Sequence, residues 1–440
     1  MQSPTGGLFR TQGRGAHPSR RPELSDLPAG GSPAALACEA EDDRSQRLDD
    51  DRCRSGLSGP PLRSPLPNRP DGCDDIPPRR GDEGAARRTR CPPWRRDQRA
   101  ARRTPPSPGS VSRRWRPPRS GVIRGCWQLA RGHGPGWSRE LAFAALDAAA
   151  ALPGTLHLDC ADIYSGAELL LGDWLESRRE AAGRVIVHTK CVPDLDSLPR
   201  IGRDDVRRIV HRSRDRLRVE ALDLVQLHWW DFRVAGWVRA ARWLAELREE
   251  GVTRHIGVTN FDTDSLRRLL DEGIPVVANQ VQLSLLDRRP LGSLARLCAD
   301  RGVSLLCYGT LAGGLLADGT AAGSRSVTKY RLIVDDVGGP AALERVRGEL
   351  ARIAARESAS LGDVAAAWAL GQRAVGAVVV GLSRRHLAAD PRAVRLRPED
   401  HAALAATVRA TVPGAVYEAE RDLAGPHGRI MRYNLNRTVG

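Results

Sequence analysis

What most restricts this chain is a repeat of texture. From Gly121 onward, short runs rich in Val, Leu and Ile alternate with longer stretches whose apolar residues recur every three to four positions. A short apolar run bounded by turn residues reads as a buried strand, and the longer recurrence reads as a helix with one buried face. Strands are expected near 122–128, 156–160, 185–190, 222–228, 255–259, 276–282, 304–308 and 377–381. Between them Val206, Ile209, Val210 and Leu217 share one helical face. So do Trp237, Ala241, Leu244 and Leu247, and again Leu266, Leu269 and Leu270. Eight strand–helix units fit an α/β fold of the (β/α)8 TIM-barrel type spanning residues 121–440, with a C-terminal tail after the last unit. An open doubly wound sheet is the competing architecture. Against it, the turn Arg131-Gly132-His133-Gly134 lacks the glycine fingerprint that seats a dinucleotide after a first strand.

Residues 1–120 have a different physics. They hold 19 of the 30 prolines, and 24 arginines against 15 acidic residues, so they carry +9 of the chain's +15. Such a segment buries too little apolar surface to offset its chain entropy, and a disordered Arg/Pro-rich tail is expected. Its Arg clusters raise nucleic acid as a partner, a reading we weigh below a solvated tail. Met1 and Met431 are the only methionines, so an over-extended gene model with a true start at a non-ATG codon for Val111 or Val122 is a further expectation. No apolar run is long enough to span a bilayer, so a membrane is excluded as partner. Nine cysteines without a C-x-x-C pair or zinc spacing point to a reducing cytoplasm and to no metal.

In a (β/α)8 barrel the chemistry gathers where strands end. Those ends read Asp159-Cys160-Ala161-Asp162-Ile163-Tyr164, His188-Thr189-Lys190, Gln226-Leu227-His228-Trp229-Trp230, Thr259-Asn260, Asn279-Gln280, Cys307-Tyr308 and Gly381-Leu382-Ser383-Arg384. Buried polar groups are costly without partners, so these should meet one another at the barrel mouth. Lys190 stands out, because only it and Lys329 are lysines among 68 basic residues. A strand-end lysine in such a chain suggests a site that needs a compact, tunable ammonium.

These motifs resemble the aldo-keto reductase superfamily. The resemblance rests on Leu158–Tyr164, Val187–Lys190, Leu222–Trp229 and Ile256–Phe261, four signatures in the right order, and extends from about Gly121 to Asn436. It implies a catalytic tetrad of Asp159, Tyr164, Lys190 and His228. Tyr164 would donate the proton, Lys190 would ease its release, Asp159 would fix Lys190, and His228 would position the carbonyl. It also implies a nicotinamide site. Thr259, Asn260 and Gln280 would serve the carboxamide, and Tyr308 would stack on the ring. Gly381, Ser383, Arg384 and Arg385 would hold the adenosine phosphate. Arg suits a 2′-phosphate, which favours NADP(H) over NAD(H). Trp127, Trp229 and Trp230 stand at strand ends, where they either line the substrate pocket or belong to the core. The stretch from Ala317 to Pro340 reads as an inserted loop, either a lid carrying Lys329-Tyr330-Arg331 or a solvated excursion.

The expected activity is therefore NADPH-dependent interconversion of a small-molecule aldehyde or ketone and its alcohol. A sugar or polyol dehydrogenase using the same site is one competitor. A cofactor-binding regulatory subunit without significant turnover is another.

Overall fold

A computed structural model describes residues 115–130, 138–318, 325–382 and 390–436. Eight strands form a closed parallel barrel in sequence order: β1 (Val122–Gly125), β2 (Leu156–Asp159), β3 (Val185–Cys191), β4 (Leu222–His228), β5 (Thr253–Thr259), β6 (Val276–Gln282), β7 (Ser304–Tyr308) and β8 (Val375–Gly381). Ring closure is between β1 and β8, with Val122 opposite Val378 and Gly125 opposite Gly381. The expected (β/α)8 architecture is thus the observed one.

Each strand alternates between two environments, because successive side chains point to opposite faces. On β3, Thr189 faces outward, and its hydroxyl donates to Glu168 of the helix Ala167–Ser177 at 2.6 Å. Lys190 faces inward and reaches Asp159 on β2. Deeper in the barrel, Ile123, Leu224, Ala278, Leu306 and Ala377 form an apolar layer, against which Trp115 packs. Packing on the barrel therefore includes Trp115, ahead of the 120/121 boundary read from composition. The remainder of the expected tail, residues 1–114, lies outside the described residues.

The outer helices bury the faces that periodicity assigns them. Val206, Ile209, Val210 and Leu217 are all buried on the helix Arg203–Leu217. Ala241, Leu244 and Leu247 are buried on Trp237–Glu249, as are Leu266 and Leu269 on Thr263–Asp271. Among the described residues no helix is long and apolar enough to cross a membrane.

Two expectations need correction. The first strand stops at Gly125 rather than 128, and Trp127–Leu129 forms a 3₁₀ turn. Its neighbours β2 and β8 end at Asp159 and Gly381, so no ladder partner remains further on. The stretch 317–340 is not simply a loop, since Arg325–Asp336 is a helix. Val327, Tyr330, Ile333, Val334 and Val337 recur at helical spacing and are buried. Tyr330 packs against Gly309, whose φ is +71° and where a Cβ would lie 2.6 Å from the Tyr330 hydroxyl. Glycine is the residue that meets both conditions.

Candidate active site

The centre of the site is an ion pair in the barrel interior. Lys190 Nζ donates to Asp159 Oδ2 at 2.7 Å and to the Cys160 carbonyl at 2.8 Å. The other carboxylate oxygen, Oδ1, accepts from Gln280 Nε2 at 2.5 Å and from Gln226 Nε2 at 3.5 Å. β2 and β6 lie on opposite sides of the ring, so the Asp159–Gln280 contact runs straight through the interior. Both partners of the ion pair are almost wholly buried, with 6% and 5% of their side chains exposed. Such a pair persists only when its remaining donors and acceptors are also satisfied, and the two glutamines do this for Asp159.

Tyr164 lies beyond the end of β2, with the Lys190 ammonium 5.1 Å from its ring centroid. Burial pushes its hydroxyl up to about 12, and the neighbouring Lys190 opposes that rise. For Lys190, burial pulls the ammonium down, but Asp159 and Tyr164 outweigh it and the net shift is upward. The amine therefore stays charged, which a phenol losing its proton requires.

His228 ends β4. Its Nδ1 lies 3.2 Å from the Thr259 carbonyl, which can only accept, so Nδ1 carries the hydrogen and the neutral ring presents a lone pair at Nε2. Burial, reinforced by Arg421, pulls this imidazole down to about 3. Trp230 meets the ring edge-on, with centroids 4.2 Å apart. His228 Nε2, Trp230 Nε1, Thr259 Oγ1 and Gln128 Oε1 are buried without a hydrogen-bond partner. Polar atoms left bare in this way cost free energy unless a ligand engages them. Their chemistry suits a carbonyl or hydroxyl and a carboxamide, which fits a nicotinamide and its substrate.

Asn260 adopts a left-handed backbone with φ of 60°, a conformation Asn tolerates better than most residues. Its N–H donates to the Gln280 carbonyl at 2.8 Å, and its Oδ1 accepts from the Tyr308 hydroxyl at 2.9 Å. Asn260 and Tyr308 thus stand together at the mouth.

The family model described as "Aldo/keto reductase family" matches residues 122–408. The chain belongs to that family. Among similar proteins, the 6-dehydroglucose reductase of Novosphingobium aromaticivorans is 31% identical over 47% of this chain and 70% of its own length. The NADH-specific methylglyoxal reductase of Escherichia coli is 29% identical over 44% of this chain and 64% of its own. Methylglyoxal reductase DkgA of Yersinia pestis is 34% identical, over 31% of this chain and 48% of its own length. The chain thus matches from about half to about two thirds of these relatives' length. Among solved structures, the holo form of an aldo-keto reductase from Bacillus halodurans superposes with a TM-score of 0.52 at 25% identity, covering 69% of this chain and 95% of that one.

Within this aldo/keto reductase, the remaining expected residues fall in different places. Gly381 ends β8, where a Cβ would lie 2.1 Å from Gln128 Nε2. Ser383, Arg384 and Arg385 lie outside the described residues. Gln280 commits its amide nitrogen to Asp159, so only its carbonyl end remains for a carboxamide. Trp127 is half-buried just after β1. Trp229 is fully enclosed and donates its indole N–H to the Val234 carbonyl at 3.0 Å. Its indole N–H braces the loop after β4, and Trp230 faces His228.

The C-terminal segment supplies neighbours of the site that strand-end reasoning misses. Tyr417 sets its ring 5.5 Å from that of His228, and Tyr433 packs on Trp230 at 5.1 Å. Arg421 donates to the Asn260 carbonyl at 2.6 Å. Beneath them is a buried ionic cluster. Arg289 bonds Asp287 at 2.8 Å and Glu420 at 3.0 Å, and Lys329 lies 3.5 Å from Glu420. Burial alone would raise the Glu420 carboxyl, but Lys329 and Arg289 hold it at about 2. The one available signal was Lys329, the second lysine in an arginine-rich chain.

Proposed function

We propose that this chain interconverts an aldehyde or ketone and its alcohol, using NADP(H), with Tyr164 as the proton donor. The observation that carries the reading is the Asp159–Lys190 pair set beneath the Tyr164 ring, beside an imidazole whose Nε2 has no partner. Bound at the mouth, a nicotinamide would supply or accept the hydride. Thr259, Asn260 and Tyr308 would hold its carboxamide and ring.

In reduction, the carbonyl oxygen gains negative charge and takes the Tyr164 proton. The phenolate left behind is stabilised by Lys190, which Asp159 keeps charged and fixed. His228, neutral and held by the Thr259 carbonyl, offers its lone pair to a hydroxyl and so orients the alcohol. The preference for NADP(H) rests on Arg384 and Arg385, whose guanidinium geometry suits a 2′-phosphate. Carbonyl reduction is also what the names of the similar reductases describe.

The test is NADPH oxidation with a panel of aldehydes, run on the parent protein and on Tyr164→Phe. Turnover should fall by ~10²–10⁴, while fluorescence quenching by NADPH stays nearly unchanged. A Tyr164→Phe enzyme with the parent rate would remove Tyr164 from the role. Repeating the titration with NADH tests the cofactor preference.

A further inference from the structure

Two bare nitrogens at the site are of opposite kinds. His228 Nδ1 lies 3.2 Å from the Thr259 carbonyl and carries the hydrogen, so Nε2 of the neutral ring can only accept. That Nε2 is buried without a partner. The indole N–H of Trp230 can only donate, and its Nε1 is also buried without a partner. The two residues are 4% and 5% exposed, and their rings meet edge-on with centroids 4.2 Å apart. Tyr417, 5.5 Å from the His228 ring, and Tyr433, 5.1 Å from that of Trp230, pack against them and limit their movement. Trp229 is committed elsewhere, since its N–H is spent on the Val234 carbonyl. Buried polar atoms left unmet cost free energy. A simple ketone cannot meet the first of them. Its oxygen carries no hydrogen, and its lone pairs repel that of Nε2. A hydroxyl meets both: its hydrogen goes to Nε2 and its oxygen accepts from Nε1.

We infer that Trp230 and His228 determine specificity together by holding a hydroxyl on the carbon next to the reacting carbonyl, so that the preferred substrate is an α-hydroxy aldehyde or ketone and the product a vicinal diol. The inference rests on the carbonyl-reduction reading above. Tyr164 serves the carbonyl oxygen, and the hydroxyl beside it supplies the hydrogen that His228 lacks. The adjacent carbon is the nearest place from which a hydroxyl can do so without the substrate folding back on itself. A hydroxyl and a methyl group differ little in size, so hydrogen bonds tell them apart. A site built to bond a hydroxyl rejects an analogue without one far more strongly than an apolar pocket rejects a missing methylene.

The experiment compares kcat/KM for hydroxyacetone, butanone and methoxyacetone, with NADPH and NADH each, in the parent protein and in Trp230→Phe. Each value is divided by the rate at which borohydride reduces the same ketone. Butanone matches hydroxyacetone in size, and methoxyacetone matches it in electron withdrawal. The parent protein should favour hydroxyacetone over both by about ten- to a hundredfold. In Trp230→Phe, which keeps an aromatic ring but loses the N–H, that preference should fall by about tenfold. Equal values for hydroxyacetone and butanone in the parent protein, or an unchanged preference in Trp230→Phe, would overturn the inference while leaving carbonyl reduction standing. So would cofactor quenching without turnover of hydroxyacetone. Weaker quenching in Trp230→Phe with the hydroxyl preference intact would also overturn it, by assigning the indole to the cofactor. No turnover of any of the three ketones, together with no quenching by either cofactor, would overturn the underlying reading and the inference with it. If Trp230→Phe does not fold, nitrogen NMR of the parent protein with NADP+ bound decides. His228 should carry its hydrogen on Nδ1, and its Nε2 signal should move on adding hydroxyacetone and stay in place on adding butanone. A hydrogen on Nε2, or equal responses to the two ketones, would reject the assignment.

Discussion

Lys190 combines two features that a generic cation site would not need. It is one of two lysines in the chain, and its ammonium meets a carboxylate, a backbone carbonyl and a phenol ring. Its replacement by Met should lower kcat by ~10²–10³, the range for losing one preorganised electrostatic group. Arg should not restore activity, because a planar fork cannot occupy the position of a compact ammonium. Steady-state rates on the two variants check this, and near-parent activity in Lys190→Arg would sink it. At the same scale the protonation states fix a pH profile. In the proposed mechanism Tyr164 starts reduction protonated, while burial and the Thr259 carbonyl hold His228 neutral. Their values of about 12 and about 3 leave the interval between them free of a transition from either. The expected kcat/KM is flat through the range where an ordinary imidazole titrates, and an inflection near 6.5 that disappears in His228→Gln would show that His228 charges during turnover.

Among the elements, the C-terminal segment Glu418–Arg421 connects the most parts of the site. Glu420 is completely buried and joins Arg289, from the loop after β6, to Lys329, from the helix Arg325–Asp336. Glu420→Gln leaves those cations short of a carboxylate. Breaking a buried pair costs about 3–5 kcal/mol, and the retained Asp287–Arg289 contact should place this case toward the lower end. Urea unfolding measures the loss, and hydrogen exchange should show the helix Arg325–Asp336 and the segment Glu418–Arg421 losing protection first. Unchanged stability would mean that the cluster contributes nothing net. Glu418–Arg421 forms a four-residue helix that the sequence does not reveal, because it is too short to show a period. Arg421 was hidden for another reason: one arginine among so many carries no compositional signal. By contrast, β4, β6 and β7 have the expected bounds of 222–228, 276–282 and 304–308, since runs buried on both faces leave little ambiguity.

At the scale of the molecule, the barrel interior holds imidazoles as well as apolar side chains. His157 Nδ1 and His188 Nε2 are 3.1 Å apart, and His188 Nδ1 is buried without a partner. Burial pulls His157 from 6.5 to about 4 and places His188 well below its ordinary range. The unfolded chain therefore takes up protons below pH 6.5 that the folded chain refuses until about pH 4 on His157. Stability is fully present above 6.5 and declines as pH falls through that window. The His157 shift alone corresponds to at most roughly 3–4 kcal/mol. Urea midpoints measured from pH 7 to pH 4.5 should fall steadily, and His157→Gln should flatten part of the slope. A pH-independent midpoint would contradict the burial of neutral imidazoles.

The order of strands and helices and the barrel class were legible in the chain itself, because hydrophobic period is a local property, and abrupt polarity marked the strand ends where Asp159, Lys190 and His228 stand. Partnership was not legible. Nothing in the spacing of Gln280 and Asp159 says that they touch across the ring, nor that Trp229 turns into packing while Trp230 meets His228. The gathering of Tyr417, Glu420 and Arg421 around His228 was equally hidden. Those relations depend on ring closure and on the path of the C-terminal segment, which bring together residues more than a hundred positions apart. Only the folded molecule sets those distances, and the distances decide which polar group is satisfied and which is left to meet a ligand.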